Sequence, residues 1–206
     1  MMNPLASITC YQRLLLLIVG AVFIWSAISP RDYFTWLLEV FPVLLVLPIL
    51  CFSYSKFPLT NLAYGLIAVH AVILIVGGHY TYAEMPIFNW LRDYYGWDRN
   101  YYDRLGHVAQ GFVPAMVARE ILLRNSVLPP GNWLFFIVVS ISLAISAFYE
   151  FLEWWVALAS GSDAVAFLAT QGDIWDTQWD MFLAFCGAIV AQLLMAKWHD
   201  RQLSQI

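Results

Sequence analysis

The sequence predicts an all-α fold, a polytopic transmembrane helical bundle of about six spanning helices with both termini on the cytoplasmic side. Three observations lead there. Apolar residues make up 62% of the 206 and charged residues only 12%, whereas soluble domains are about one-quarter charged. Apolar runs of bilayer-spanning length recur along the chain. The basic residues also divide unevenly between alternate loops.

The spanning runs cover residues 14–29, 33–54, 59–82, 105–123, 133–159 and 181–198, each long enough at 1.5 Å per residue to cross the hydrocarbon. The first resembles a signal peptide, with Arg13 before it and Ser26 and Ala27 near its end. It is read as a retained helix, because its basic region is minimal and no clear cleavage site leads into polar sequence. Pro42, Pro48 and Pro114 fall inside runs, where membrane helices accept them as kinks. With both termini inside, the cytoplasmic side carries Arg13, Lys56, Arg119, Arg124, Lys197 and Arg201, against Arg31, Arg92, Arg99 and Arg104 outside. The six-to-four division sets the orientation. No linker, repeat or low-complexity tract interrupts the chain, so residues 1–206 form one integral membrane domain.

Two outer loops stand out. Residues 83–104 hold Trp90, Tyr94, Tyr95, Trp97, Tyr101 and Tyr102, the composition of a segment lying in the headgroup belt. Residues 160–179 contain a short helical turn at 164–169, then Gly172 as a flexible break. Cys10, Cys51 and Cys186 are scattered and odd in number, which suggests neither a disulfide framework nor a thiolate metal site. The net charge of −4 and the lack of a basic run leave nothing for nucleic acid to bind. The partner expected from composition is membrane lipid.

Placing the ionisable residues by depth gathers them in one leaflet. Asp173, Asp176 and Asp180, read as helix, share one face at i, i+3 and i+7, as do Asp103, His107 and Gln110 at i, i+4 and i+7. Glu150 and Glu153 lie one turn apart within FYEFLEWW. Glu39, His79 and Gln171 complete the outer polar set. Acids exposed to lipid would cost about 2.5–3.5 kcal/mol each, so they should face one another or a wet cavity. Packed together they repel unless protonated, paired with Arg104 or neutralised by a cation. A divalent metal ion of unspecified identity meets that demand, with Asp103, His107, Asp173, Asp176 and Asp180 as ligands and Glu150 and Glu153 as catalytic carboxylates.

Simpler readings stand beside this one. Asp173 and Asp176 could only cap the last helix against its dipole, and Asp103 with Arg104 could be a solvated pair. His70, alone in mid-helix, reads as a packed core residue. Glu120, with Arg124 at i+4, reads as an ion pair at the cytoplasmic end.

The segments YDRLGHVAQGFVPAMVARE (102–120), LAISAFYEFLEWW (143–155) and ATQGDIWDTQWDMFLA (169–184), with VGGHYTYA around His79, closely resemble the YjdF family of bacterial inner-membrane proteins. The likeness covers almost the whole chain. It implies a multi-pass protein of the bacterial inner membrane and, the family being of unknown function, supplies no activity.

Three functions fit these residues. One is a metal-dependent membrane enzyme acting on a lipid-linked, envelope or other small-molecule substrate. A second is an ion- or proton-coupled transporter using the same carboxylates. A third is a structural or accessory protein whose acids tie helices together. The outer location and the lack of a repeat favour the enzyme, although HExxH, GxSxG and P-loop motifs are all absent.

Overall fold

The computed structural model describes residues 8–160 and 165–205, and every regular element among them is helical. Local capping chemistry sets where each helix begins. In α1 (Cys10–Ser26), Thr9 Oγ1 accepts from the Gln12 amide at 3.2 Å and Gln12 Oε1 from the Thr9 amide at 3.1 Å. This reciprocal box satisfies two otherwise orphaned donors, and it moves the helix start ahead of the run expected at 14–29.

Asp32 opens α2 (Tyr33–Ser53) by accepting from the Thr35 amide at 2.7 Å. That bond holds the Asp32 carboxyl below its ordinary value of 3.8. A carboxylate lowered on folding adds stability above its unfolded value and loses it as pH falls through the folded one. The thermal stability of Asp32→Asn should therefore lack a small acid-side decline that wild type shows below about pH 4; identical pH profiles would exclude this contribution.

Thr60 caps α3 (Asn61–Tyr80) by accepting from Ala63. The run expected to continue to residue 82 stops at Tyr80, because Thr81 turns to φ 59° and a 3₁₀ turn, Tyr82–Glu84, follows. The aromatic loop then forms α4 (Pro86–Tyr95), with proline in its first turn and left-handed Gly96 (φ 67°) at its end. Proline and glycine suit those respective positions. No α4 side chain is fully buried, and Trp90, Tyr94 and Tyr95 stand exposed.

The remaining helices are α5 (Tyr102–Arg124), α6 (Asn132–Ser160), α7 (Val165–Leu168) and α8 (Asp176–Leu203). The turn expected at 164–169 is thus present as α7, although residues 161–164 of that loop lie outside the described residues. Among the described residues four helices, α2, α3, α6 and α8, are long and apolar enough to cross a membrane. At 17 residues α1 is shorter, while α5 has the length but bears five charged residues near its ends.

The largest helix interface is between α5 and α8, and α5 also packs on α3 and α6. Small residues allow this contact. A Cβ on Gly111 would fall on the Ala184 carbonyl, and one on Gly187 would meet the Val108 carbonyl. Ala115, Ala184, Ala188 and Ala191 are fully buried nearby. Such stripes let membrane helices approach backbone to backbone, where dispersion rather than the hydrophobic effect holds them.

A polar knot closes the end of the bundle where α3 begins and α8 finishes. Glu120 accepts from both the amide (2.9 Å) and the hydroxyl (2.7 Å) of Thr60. It also pairs with Arg124 at 2.9 Å and His199 at 3.0 Å. The expected Glu120–Arg124 pair is therefore present within a larger network. Arg119 reaches His199 Nδ1 at 3.0 Å and Asp200 at 2.8 Å. Every charge there has a partner, as burial requires.

Candidate functional site

At the opposite end, two arginines organise the acids. Arg104, on the first turn of α5, contacts Asp180 at 2.6 Å, Asp176 at 2.8 Å and Asp173 at 3.0 Å. Arg99, just before α5, bonds Asp176 and donates to the Ala169 carbonyl at 3.0 Å. It also lies 3.7 Å from Asp103. The planar guanidinium can serve several acceptors at once, which suits it to this bridging role. The Asp103–Arg104 pairing anticipated as solvated is thus replaced by a buried arginine lattice between α5 and α8.

Asp173, Asp176 and Asp180 do converge, but not as one helical face. Helix α8 begins at Asp176, and Asp173 sits in the preceding turn, where its carboxylate accepts from the Trp175 amide at 2.9 Å. Positive φ at Ala169 (48°), Gln171 (50°) and Gly172 (87°) folds that turn back over α5. Only glycine adopts this region without penalty, so the two non-glycine residues are held by their contacts. Gln171 supplies one clasp, accepting from the Asn100 amide and donating to the Asn100 carbonyl, each at 2.9 Å.

Deeper in the bundle, His107 divides the remaining acids. Its Nδ1 lies 2.9 Å from Gln110 Oε1, so that Nδ1–H donates to the amide oxygen, and in the neutral imidazole Nε2 then carries the lone pair. Nε2 is 3.4 Å from Asp103 Oδ1 and 3.7 Å from Asp180 Oδ1. Both distances exceed the roughly 2.7–2.9 Å of a charge-assisted hydrogen bond. They are close to the spacing of about 3.4 Å between two ligands held ~2.1 Å from a tetrahedral ion. Asp103, His107 and Asp180, all buried, form one group able to hold a metal ion; His107, Glu150 and Glu153 form another.

The other expected residues divide between this centre and its surroundings. Glu150 Oε1 lies 3.9 Å from His107 Nδ1, and Glu39 comes from α2 to within electrostatic reach of Asp103 and His107. Asp173 and Asp176 are engaged by arginine and fall outside both metal-type groups. His79 sits apart, its Nδ1 3.0 Å from the Ser26 carbonyl and its ring 4.3 Å from that of Trp25. Sequence reasoning placed Arg99 in the outer aromatic loop and missed its role. The i, i+4 register running back from His107 through Asp103 to Arg99 is the signal that could have found it.

Residues 11–201 match the family described as "Predicted membrane protein (DUF2238)". The chain belongs to that family. It is 50% identical over 182 residues to a protein named "Inner membrane protein YjdF" from Escherichia coli (strain K12), covering 88% of this chain and 87% of the relative. No solved structure matches it. Family membership and the apolar helices make this an inner-membrane protein, and neither description carries an activity.

Proposed function

We propose that this family member is a metal-dependent membrane enzyme, in which a divalent cation held by Asp103, His107 and Asp180 activates water against a lipid-linked or envelope substrate. One observation carries the reading: ligand atoms spaced for a single ion lie where acids outnumber their positive partners. Seven carboxyls (Glu39, Asp103, Glu150, Glu153, Asp173, Asp176 and Asp180) face two arginines, so with His107 neutral, as a ligating imidazole must be, five charges are unmatched when every acid is ionised. Burying unmatched charge costs several kcal/mol per ion, and a divalent cation offsets two of these charges. Gln110 fits the arrangement as the outer partner that orients a ligating imidazole. A bound ion would lower the pKa of its water, while Glu150 and Glu153 adjoin across the imidazole as the carboxylates nearest the reaction.

The same reading places six helices across the bilayer, including short α1 and end-charged α5, with both termini inside and the site in the outer leaflet. The exposed aromatics of α4 then lie at the headgroups. The seam at Gly111 and Gly187 favours an enzyme over a transporter, because α5 and α8 carry the ligands and interlock too closely to rock. Metal analysis of detergent-purified protein is the test. Wild type should retain a stoichiometric divalent metal that Asp103→Asn and His107→Gln lose, while Asp93→Asn, at an exposed pair with Arg92, retains it. Metal-free wild type whose melting ignores Mn²⁺, Zn²⁺ and Mg²⁺ would overturn the proposal. In a cysteine-free background, labelling of Ser204→Cys from outside intact cells would overturn the orientation.

A further inference from the structure

The ion assigned to Asp103, His107 and Asp180 leaves the α6 side of the imidazole uncompensated. Glu150 is only 6% exposed, and its Oε1 has no hydrogen-bond partner. Tyr82, 5% exposed, turns its hydroxyl toward the Glu39 carboxyl. Glu39, 3% exposed, forms no ion pair among the described residues. A buried polar atom left unpaired costs about 1–3 kcal/mol, so the orphaned Glu150 oxygen, set beside further buried acids, points to a ligand. Both arginines that could serve are already committed, Arg104 to three aspartates and Arg99 to Asp176 and the Ala169 carbonyl.

A nitrogen of His107 and one oxygen each from Glu150 and Glu153 lie within 4.8 Å of one another. The imidazole itself cannot ligate on this side while Nδ1–H donates to Gln110. What the position offers is therefore oxygen alone, from carboxylates and a phenol. Oxygen-only sets select hard cations such as magnesium or manganese over those that favour imidazole.

We propose that Glu150 and Glu153, closed over by Glu39, hold a second, hard divalent cation beside the first. This rests on the metal reading above and deepens it. An ion there, across the imidazole from the first, would neutralise the acids of α6 and give them their part in the site. The site would then suit a substrate presenting anionic oxygen, such as a phosphate ester, because the ions rather than the occupied arginines would meet its charge.

The test is metal stoichiometry on the full chain, stripped with chelator and reloaded with Mn²⁺. Wild type should bind two equivalents, and Glu150→Gln/Glu153→Gln one. Because that variant could fail to fold, wild type loaded first with one equivalent of Zn²⁺ should still take up one Mn²⁺ by electron paramagnetic resonance. A single Mn²⁺ in wild type, two surviving in the double variant, or no Mn²⁺ uptake after Zn²⁺ would each overturn the second position and leave the first standing. Wild type binding none would overturn both.

Discussion

Arg104→Ala is expected to lower stability by about 3–5 kcal/mol, the range for removing one partner from a buried ionic group. The loss is large because the side chain answers three carboxylates from two segments at 2.6–3.0 Å. Without it Asp176 keeps Arg99, whereas Asp180 has no arginine left. Equilibrium unfolding in detergent would read the effect. Adding Asp180→Asn should recover part of it, since the orphaned charge goes too. A cost below about 1 kcal/mol, typical of surface pairs, would mean that the lattice is solvated. Arg31→Ala makes the comparison, as its pair with Glu84 is exposed on both sides.

Gly111→Leu is expected to act on both stability and the site. Any side chain at 111 begins with a Cβ on the Ala184 backbone carbonyl, and backbone cannot rotate aside as a side chain would. The helices must separate, at a cost at or above the roughly 1–3 kcal/mol of ordinary overpacking. Asp103 and His107 ride on α5 while Asp180 rides on α8, so separation also spreads the ligand atoms. Metal retention should fall together with thermal stability. Gly20→Ala is the control, since a Cβ there meets nothing within 4 Å and alanine favours helix. Normal metal retention in a folded Gly111→Leu protein would show that the seam does not position the site.

Helical periodicity alone brought Asp103, His107 and Gln110 together, because residues three, four and seven apart must share a face. Helix α5 bears this out, starting early enough to include all three. The same rule failed at Asp173, which precedes α8 and reaches the cluster through a turn with several positive-φ residues. Nothing local in TQGDIW specifies that turn; it is held by the clasp between Gln171 and Asn100. His79 failed differently. It lies in the last turn of α3 as expected, but position along a helix says nothing of direction around its axis, and Trp25 and Ser26 take it toward α1.

Composition and apolar run length determined by themselves that this is a helical membrane protein, because a backbone in lipid must satisfy its own hydrogen bonds. They also confine its acids to the ends of the bundle, since each apolar run permits charge only near its termini. Which acid meets which base was a tertiary decision. It depends on the close approach of α5 and α8 permitted by Gly111 and Gly187, and on Arg99 and Arg104 bridging between them. Contact energies between charges fall off with distance and burial, and a linear sequence encodes neither. Only the packed bundle assigns Asp173 and Asp176 to arginine alone, sets Asp180 between Arg104 and His107, and gathers Asp103, Glu150 and Glu153 around the same imidazole.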